Sequence, residues 1–161
     1  MADAALFKTG LLVIDLERAM RDLGRWLGLA WTPVQESPLA LFTAAGREDV
    51  KLRYAYSIGG APYLELIEAQ PTGYYAAPDG AHLHHVGRWV DDLAAASAAL
   101  ASAGLPREAA GIGADGATPA LFAFHRGAHG VRIELVDVAN RVNFQTWLAG
   151  GALDLGSLER H

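Results

Sequence analysis

The chain has 161 residues, with 18 acidic and 13 basic side chains giving a net charge of −5, and no cysteine. Its apolar fraction of 52% rests heavily on 31 alanines, which leaves an ordinary set of large hydrophobes for one globular domain. These figures exclude a disordered chain, a collagen-like fibre, a disulfide scaffold, thiolate zinc sites and cysteine nucleophiles, and the acidic balance argues against nucleic acid as the main partner.

The N-terminus carries one lysine and no long apolar run, so no signal peptide is expected. Residues 8–16, Lys-Thr-Gly-Leu-Leu-Val-Ile-Asp-Leu, read as a short strand closed by a helix N-cap, Asp15. Leu16, Ala19, Met20, Leu23, Trp26 and Leu27 then recur at helical spacing, and Gly28 supplies a stop. Strand-like runs follow at 39–43, 51–58 and 62–69, and residues 71–81, rich in Gly, Pro and Ala, read as a linker.

The pattern then repeats. Residues 85–93, His-Val-Gly-Arg-Trp-Val-Asp-Asp-Leu, match 8–16 with glycine third, valine sixth and Asp-Leu closing the run. Asp92 is the second N-cap, and Leu93, Ala96 and Leu100 mark a helix ended by Gly104 and Pro106. Strands are expected at 120–126 and 130–138, with a weaker one within 111–118. The last strands of the halves match closely, Leu64-Glu65-Leu66-Ile67-Glu68 against Ile133-Glu134-Leu135-Val136-Asp137.

The expected fold is therefore α+β: two tandem βαβββ modules, 7–70 and 82–138, form one curved, cup-shaped mixed sheet with helices outside. Residues 1–138 make a single domain. Residues 139–161 are a tail whose Val142, Phe144, Trp147 and Leu148 predict a short helix covering a sheet edge or a partner subunit. Nothing in 150–161 suggests chemistry. The longest weakly polar run, 93–105, is too short to span a bilayer, so no membrane partner and a cytoplasmic location are expected.

Alternation along the strands decides where the polar groups point. Leu64 and Leu66 share the helix-facing side, so Glu65 points to the concave side, and Ile133 and Leu135 do the same for Glu134. Val86 and Val90 face the helices, which sends His85, Gly87 and Trp89 inward. His85, Glu65 and Glu134 are candidate ligands for a divalent metal such as Zn²⁺, Mn²⁺, Co²⁺, Ni²⁺ or Fe²⁺.

On these motifs the chain resembles the vicinal-oxygen-chelate superfamily, the group of glyoxalase I, methylmalonyl-CoA epimerase, bleomycin-resistance proteins and extradiol dioxygenases. The stretch 82–93 is similar to the glyoxalase-like branch near the epimerases. The resemblance covers about residues 7–138. It implies a lyase or isomerase of the glyoxalase or epimerase type acting on a small carbonyl compound, with Glu65 or Glu134 as base or ligand. The alternative it implies is a metal-free protein that sequesters an aromatic or drug-like molecule. It also implies a homodimer.

The family's four metal positions fall on Lys8, Glu65, His85 and Glu134. Lysine stands where the family pattern has histidine, and an ammonium cannot ligate a metal. Three outcomes stay open: a metal held by the other three, Lys8 replacing the metal's charge, or Lys8 acting in catalysis. Around the site, alternation turns His84 toward the helix layer or the module boundary as a structural histidine. His125 is placed to reach the cup rim, while His82 and His129 fall in loops. Arg88 falls on the helix side. Tyr54, Tyr56, Tyr63, Trp89 and Phe124 are candidate pocket walls. Arg126 and Arg132 are either anion binders or a solvated strand edge.

Overall fold

Asp15 and Asp92 start the two main helices where the sequence places them. The Asp15 carboxylate accepts the Arg18 N–H at 2.8 Å to open α1 (Leu16–Leu27), and Asp92 accepts from Ala95 at 2.9 Å to open α2 (Leu93–Ser102). Gly28, at φ 69°, ends α1 in the left-handed conformation glycine adopts without strain. The structure is a computed structural model describing residues 6–127 and 129–151. The last ten residues, read from sequence as chemically silent tail, lie outside the described residues.

The first module contains β1 (Lys8–Val13), α1, a short β2 (Ala30–Trp31), β3 (Gln35–Thr43), β4 (Gly46–Ile58) and β5 (Tyr63–Glu68). The second contains β6 (His82–Val90), α2, β7 (Arg107–Ile112), β8 (Pro119–Arg126) and β9 (Arg132–Asp137). A 3₁₀ turn, Val138–Asn140, leads into α3 (Arg141–Leu148). β7 begins four residues before the weak strand expected at 111–118, because Ala109 and Ala110 are the residues that pack beneath α2 and inside the cup.

β1 and β6 run antiparallel side by side, and each takes the last strand of its own module in parallel, β5 on β1 and β9 on β6. Eight strands follow in the order β4-β3-β7-β8-β9-β6-β1-β5, and β4 pairs back onto β5 to close the ring. β2 adds to the far end of β4. This is the expected curved, mixed sheet, closed more fully than two open modules would be.

Alternation holds on β5 and β9. Leu66 packs with Val13 and Leu16 under α1, and Leu135 packs with Val90 and Leu93 under α2. The opposite faces fill the cup, where Leu12, Leu41, Ile67, Phe122 and Phe124 form its inner core. The segment expected as a linker does more than span: Tyr75 is buried in that inner core, and the Tyr74 N–H donates to the Glu48 carboxylate. No helix among the described residues is long and apolar enough to cross a membrane.

Candidate functional site

The third-position glycines of the repeat make the site geometrically feasible. Gly10 lies opposite His85 on β6 and Glu65 on β5, while Gly87 lies opposite Lys8 on β1 and Glu134 on β9. A side chain on either glycine would occupy the space these groups use. A Cβ on Gly10 would sit 2.2 Å from Cε1 of His85, and one on Gly87 would sit 2.7 Å from Cγ of Lys8. Each glycine therefore clears room for a side chain of the other module. Gly10→Ala is expected to push the His85 ring out of place and lose about 1–2 kcal/mol through overpacking. Urea unfolding measures the loss, and the shift of the His85 ring protons in NMR spectra reports the displacement.

Lys8, Glu65, His85 and Glu134 meet at the floor of the cup, each buried. Lys8 Nζ lies 3.0 Å from Glu65 Oε2 and 2.7 Å from Glu134 Oε2, and donates to the Tyr56 hydroxyl at 3.1 Å. The ammonium thus sits among three oxygen partners, two of them anionic. Tyr56 donates in turn to Glu65 Oε1 at 2.6 Å. His85 Nε2 stands 3.1 Å from Glu65 Oε2 and 3.2 Å from Glu134 Oε2. Glu134 Oε2 is thus at ion-pair distance from two cationic or donor groups, although neither points at it in hydrogen-bond geometry. Its hold is chiefly Coulombic.

Burial opposes every charge here, and the charges offset it by holding one another. For Lys8, desolvation is outweighed by Glu134 and Glu65, which raise its pKa. Burial alone would raise both carboxyls, but Lys8 and His85 keep them below the usual range. His85 is raised, since Glu134 and Glu65 overcome its desolvation. Tyr56 is pushed well up by burial and by Glu65, so its hydroxyl keeps its proton.

The carboxylates and His85 are a set that can hold a metal ion, with ligand atoms all within 4.8 Å of one another. The whole cluster is different. Lys8 puts a positive charge on the same two oxygens a metal would bind, so a divalent cation meets like-charge repulsion there. With Lys8 in place, the residues do not fit a divalent cation.

Above this polar floor is a cavity of about 320 Å³. Tyr54, Tyr56, Trp89 and Phe124 line it as the sequence suggests. Tyr63 does not line it but touches Phe144 edge-on at 5.7 Å. The tail is corrected more substantially: α3 roofs the cup instead of covering a sheet edge. Phe144 packs against Tyr56 at 5.0 Å and Trp89 at 5.8 Å, and Trp147 against Tyr56 at 5.4 Å. An amphipathic stripe of Phe144 and Trp147 was visible in the sequence; its docking partner was not.

The placements of His84 and His125 also differ from expectation. A β-bulge between Gly10 and Leu11 leaves His84 without a register partner, so it turns into the cup beside His85 rather than toward the helices. There it stacks on Tyr75 at 5.0 Å and shares an Nδ1–Nδ1 hydrogen bond of 3.1 Å with His85. Its Nε2 makes no hydrogen bond of good geometry within the protein. His125 is not at the rim: it bonds Ser97 Oγ and the Leu105 carbonyl, each at 2.9 Å, beneath α2. Arg126 and Arg132 both pair with Glu108 and do not line the cavity. Arg88 is exposed.

Residues 7–124 match the profile of the Glyoxalase/Bleomycin resistance protein/Dioxygenase superfamily. The chain belongs to that superfamily. Among solved structures, this glyoxalase-superfamily protein is similar to a Streptomyces coelicolor methylmalonyl-CoA epimerase variant in complex with 2-nitronate-propionyl-CoA. The two are 21% identical, with a TM-score of 0.58 over 82% of this chain and 95% of that one. The Mycobacterium tuberculosis methylmalonyl-CoA epimerase is 22% identical, with a TM-score of 0.55 over 85% of this chain and 92% of the other. A hypothetical protein from Bacillus halodurans has the same TM-score at 19% identity, over 83% and 93% of the two chains. These likenesses establish the glyoxalase-superfamily fold. No curated protein matches the sequence.

Proposed function

We propose that this superfamily member catalyses proton abstraction beside the carbonyl of a small molecule, as an isomerase or lyase, with Lys8 in place of a metal. The observation that carries this reading is the contact of Lys8 with both carboxylates, 3.0 and 2.7 Å, at the floor of a ligand-sized cavity. Burying four ionisable groups costs several kcal/mol per ion before pairing, and apolar residues would fill the same space more stably. A chemical task accounts for keeping them.

Glu134 is the base in this reading. Its Oε2 faces Lys8 and His85, so Oε1 is the oxygen that meets substrate, and its low pKa keeps it ionised at neutral pH. When it takes the proton from carbon, negative charge passes from Glu134 to the carbonyl oxygen. Lys8 then exchanges its contact with Glu134 for one with the enolate oxygen, so the ammonium stabilises the charge wherever it resides. Glu65, held by Lys8, Tyr56 and His85, positions the ammonium. The structural neighbours named methylmalonyl-CoA epimerase lend support, since that substrate has an acidic C–H beside a thioester carbonyl.

The test is NMR-monitored loss of the α-C–H signals of a panel of thioesters, ketones and 2-oxo compounds in D₂O with chelator present. Exchange should survive chelation and fall by about 100-fold or more in Glu134→Gln. Exchange that requires added metal, or that persists in Glu134→Gln, would overturn it. The aromatic lining favours one second reading, a binding protein that sequesters its ligand without turnover. Ligands that calorimetry shows to be bound, with no exchange in any of them, would establish that reading instead.

A further inference from the structure

We infer that the natural ligand of this cavity is an uncharged, ring-bearing compound, held between aromatic walls and carrying neither a carboxylate nor an amine. This deepens the reading of the same cavity as a carbonyl site and rests on it for the position of the reacting end.

The polarity of the lining decides the charge of the ligand. Among the described residues that line the cavity, every acidic, basic or histidine side chain belongs to the cluster of Lys8, Glu65, His85 and Glu134. An entering carboxylate would meet two carboxylates already there, and its one neighbouring ammonium is already shared between Glu65 and Glu134. Leaving a charge unpaired in a dry pocket is heavily unfavourable. The arginines that could have served an anion, Arg126 and Arg132, are tied to Glu108 outside the cavity. An entering amine meets the opposite obstacle, because it must displace an ammonium tethered by its own backbone to the only two carboxylates available.

The walls decide the shape. Trp89 stacks on Phe7 at 4.1 Å, and Tyr56 meets Phe144 and Trp147 edge-on, the last two tilted against each other, in a cluster that bridges wall and roof. Flat faces and edges at these spacings suit an aromatic or otherwise planar ring, which gains contact area and favourable quadrupole geometry. The volume, about 320 Å³, is at the small end of ligand cavities. Ser37 and Asn140 supply neutral polar groups in the lining, matched to a ligand whose polarity is uncharged.

Isothermal titration of the full chain with three matched probes tests this: naphthyl methyl ketone, naphthoate and naphthylmethylammonium. The ketone should bind at least about tenfold more tightly than either ion, a difference of about 1.4 kcal/mol. Phe144→Leu, which keeps an apolar roof and loses the ring, should weaken the ketone several-fold, with circular dichroism checking that the fold is retained. Equal or tighter binding of either ion would overturn the inference. So would ketone binding indifferent to Phe144→Leu in a folded variant, or no binding of any probe. Ketone selectivity without any α-proton exchange would remove the catalytic reading and leave this inference standing. Exchange confined to carboxylate-bearing substrates would do the reverse.

Discussion

Lys8→Met is expected to destabilise the protein by about 3–5 kcal/mol near neutral pH, the range for stranding a buried charge by removing its partner. Methionine fills nearly the same space, so the loss is electrostatic. It leaves Glu65 and Glu134 facing each other with only His85 between them. The sign of its pH dependence is diagnostic. In the parent chain the carboxyl pKa values are depressed, so their contribution is present above the unfolded value of 4.5 and is lost as pH falls through the folded ones. In the variant, burial and mutual repulsion raise at least one carboxyl pKa above 4.5. That contribution is then full below 4.5 and lost as pH rises. The stability gap between the two proteins should therefore narrow on acidification from neutral pH toward pH 5, as measured by urea unfolding. A gap that stays constant would show that Lys8 contributes packing alone. Lys8→His completes a four-ligand set, and its melting temperature should rise with added Ni²⁺ or Zn²⁺ while the parent's does not.

His84→Phe should flatten the acid limb of the stability curve. His84 is held down to about 3 by burial and by the neighbouring His85. A histidine with a depressed folded pKa contributes stability above its unfolded value of 6.5, and the contribution is lost as pH falls toward the folded value. From 6.5 down to pH 4.5 the loss amounts to about 2–3 kcal/mol. Other members of the cluster are silent in that window. The contribution of His85, whose pKa is raised, is complete below 6.5, and the depressed carboxyls begin to fail only below 4.5. The phenyl ring keeps the stacking against Tyr75 and the edge contact with Phe124 and has no proton to gain. Chemical denaturation at a series of pH values should show the parent losing stability across the window and the variant holding nearly level. Equal slopes would place the titrating group elsewhere.

The fold and the candidate residues were legible because period-two patterns fix which side of a sheet a residue faces. Leu-Glu-Leu and Ile-Glu-Leu put Glu65 and Glu134 in the cup, and the duplicated first strand pointed to Lys8 and His85 as counterparts. His84 was misplaced for the same reason, since a bulge adds one residue and alternation has no means of announcing it. His125 was misplaced because its partners, Ser97 and the Leu105 carbonyl, belong to a helix and a loop whose packing strand periodicity does not specify. Tyr56 carried no signal beyond being a strand aromatic. Its hydroxyl joins the site only because β4 pairs with β5, setting Tyr56 opposite Glu65. The roof was hidden likewise, because the stripe on α3 shows that the helix docks but not on what.

The crossed glycines make the two halves unsuitable as interchangeable cassettes. Gly10 belongs to the first module but serves His85 of the second, and Gly87 belongs to the second but serves Lys8 of the first. A chimera joining the first half of this chain to the second half of a relative would inherit Lys8 without its clearance unless the incoming half has glycine at the position of Gly87. Compatibility between halves is thus written at the seam where β1 meets β6, and a recombinant that respects every element boundary can still fail there.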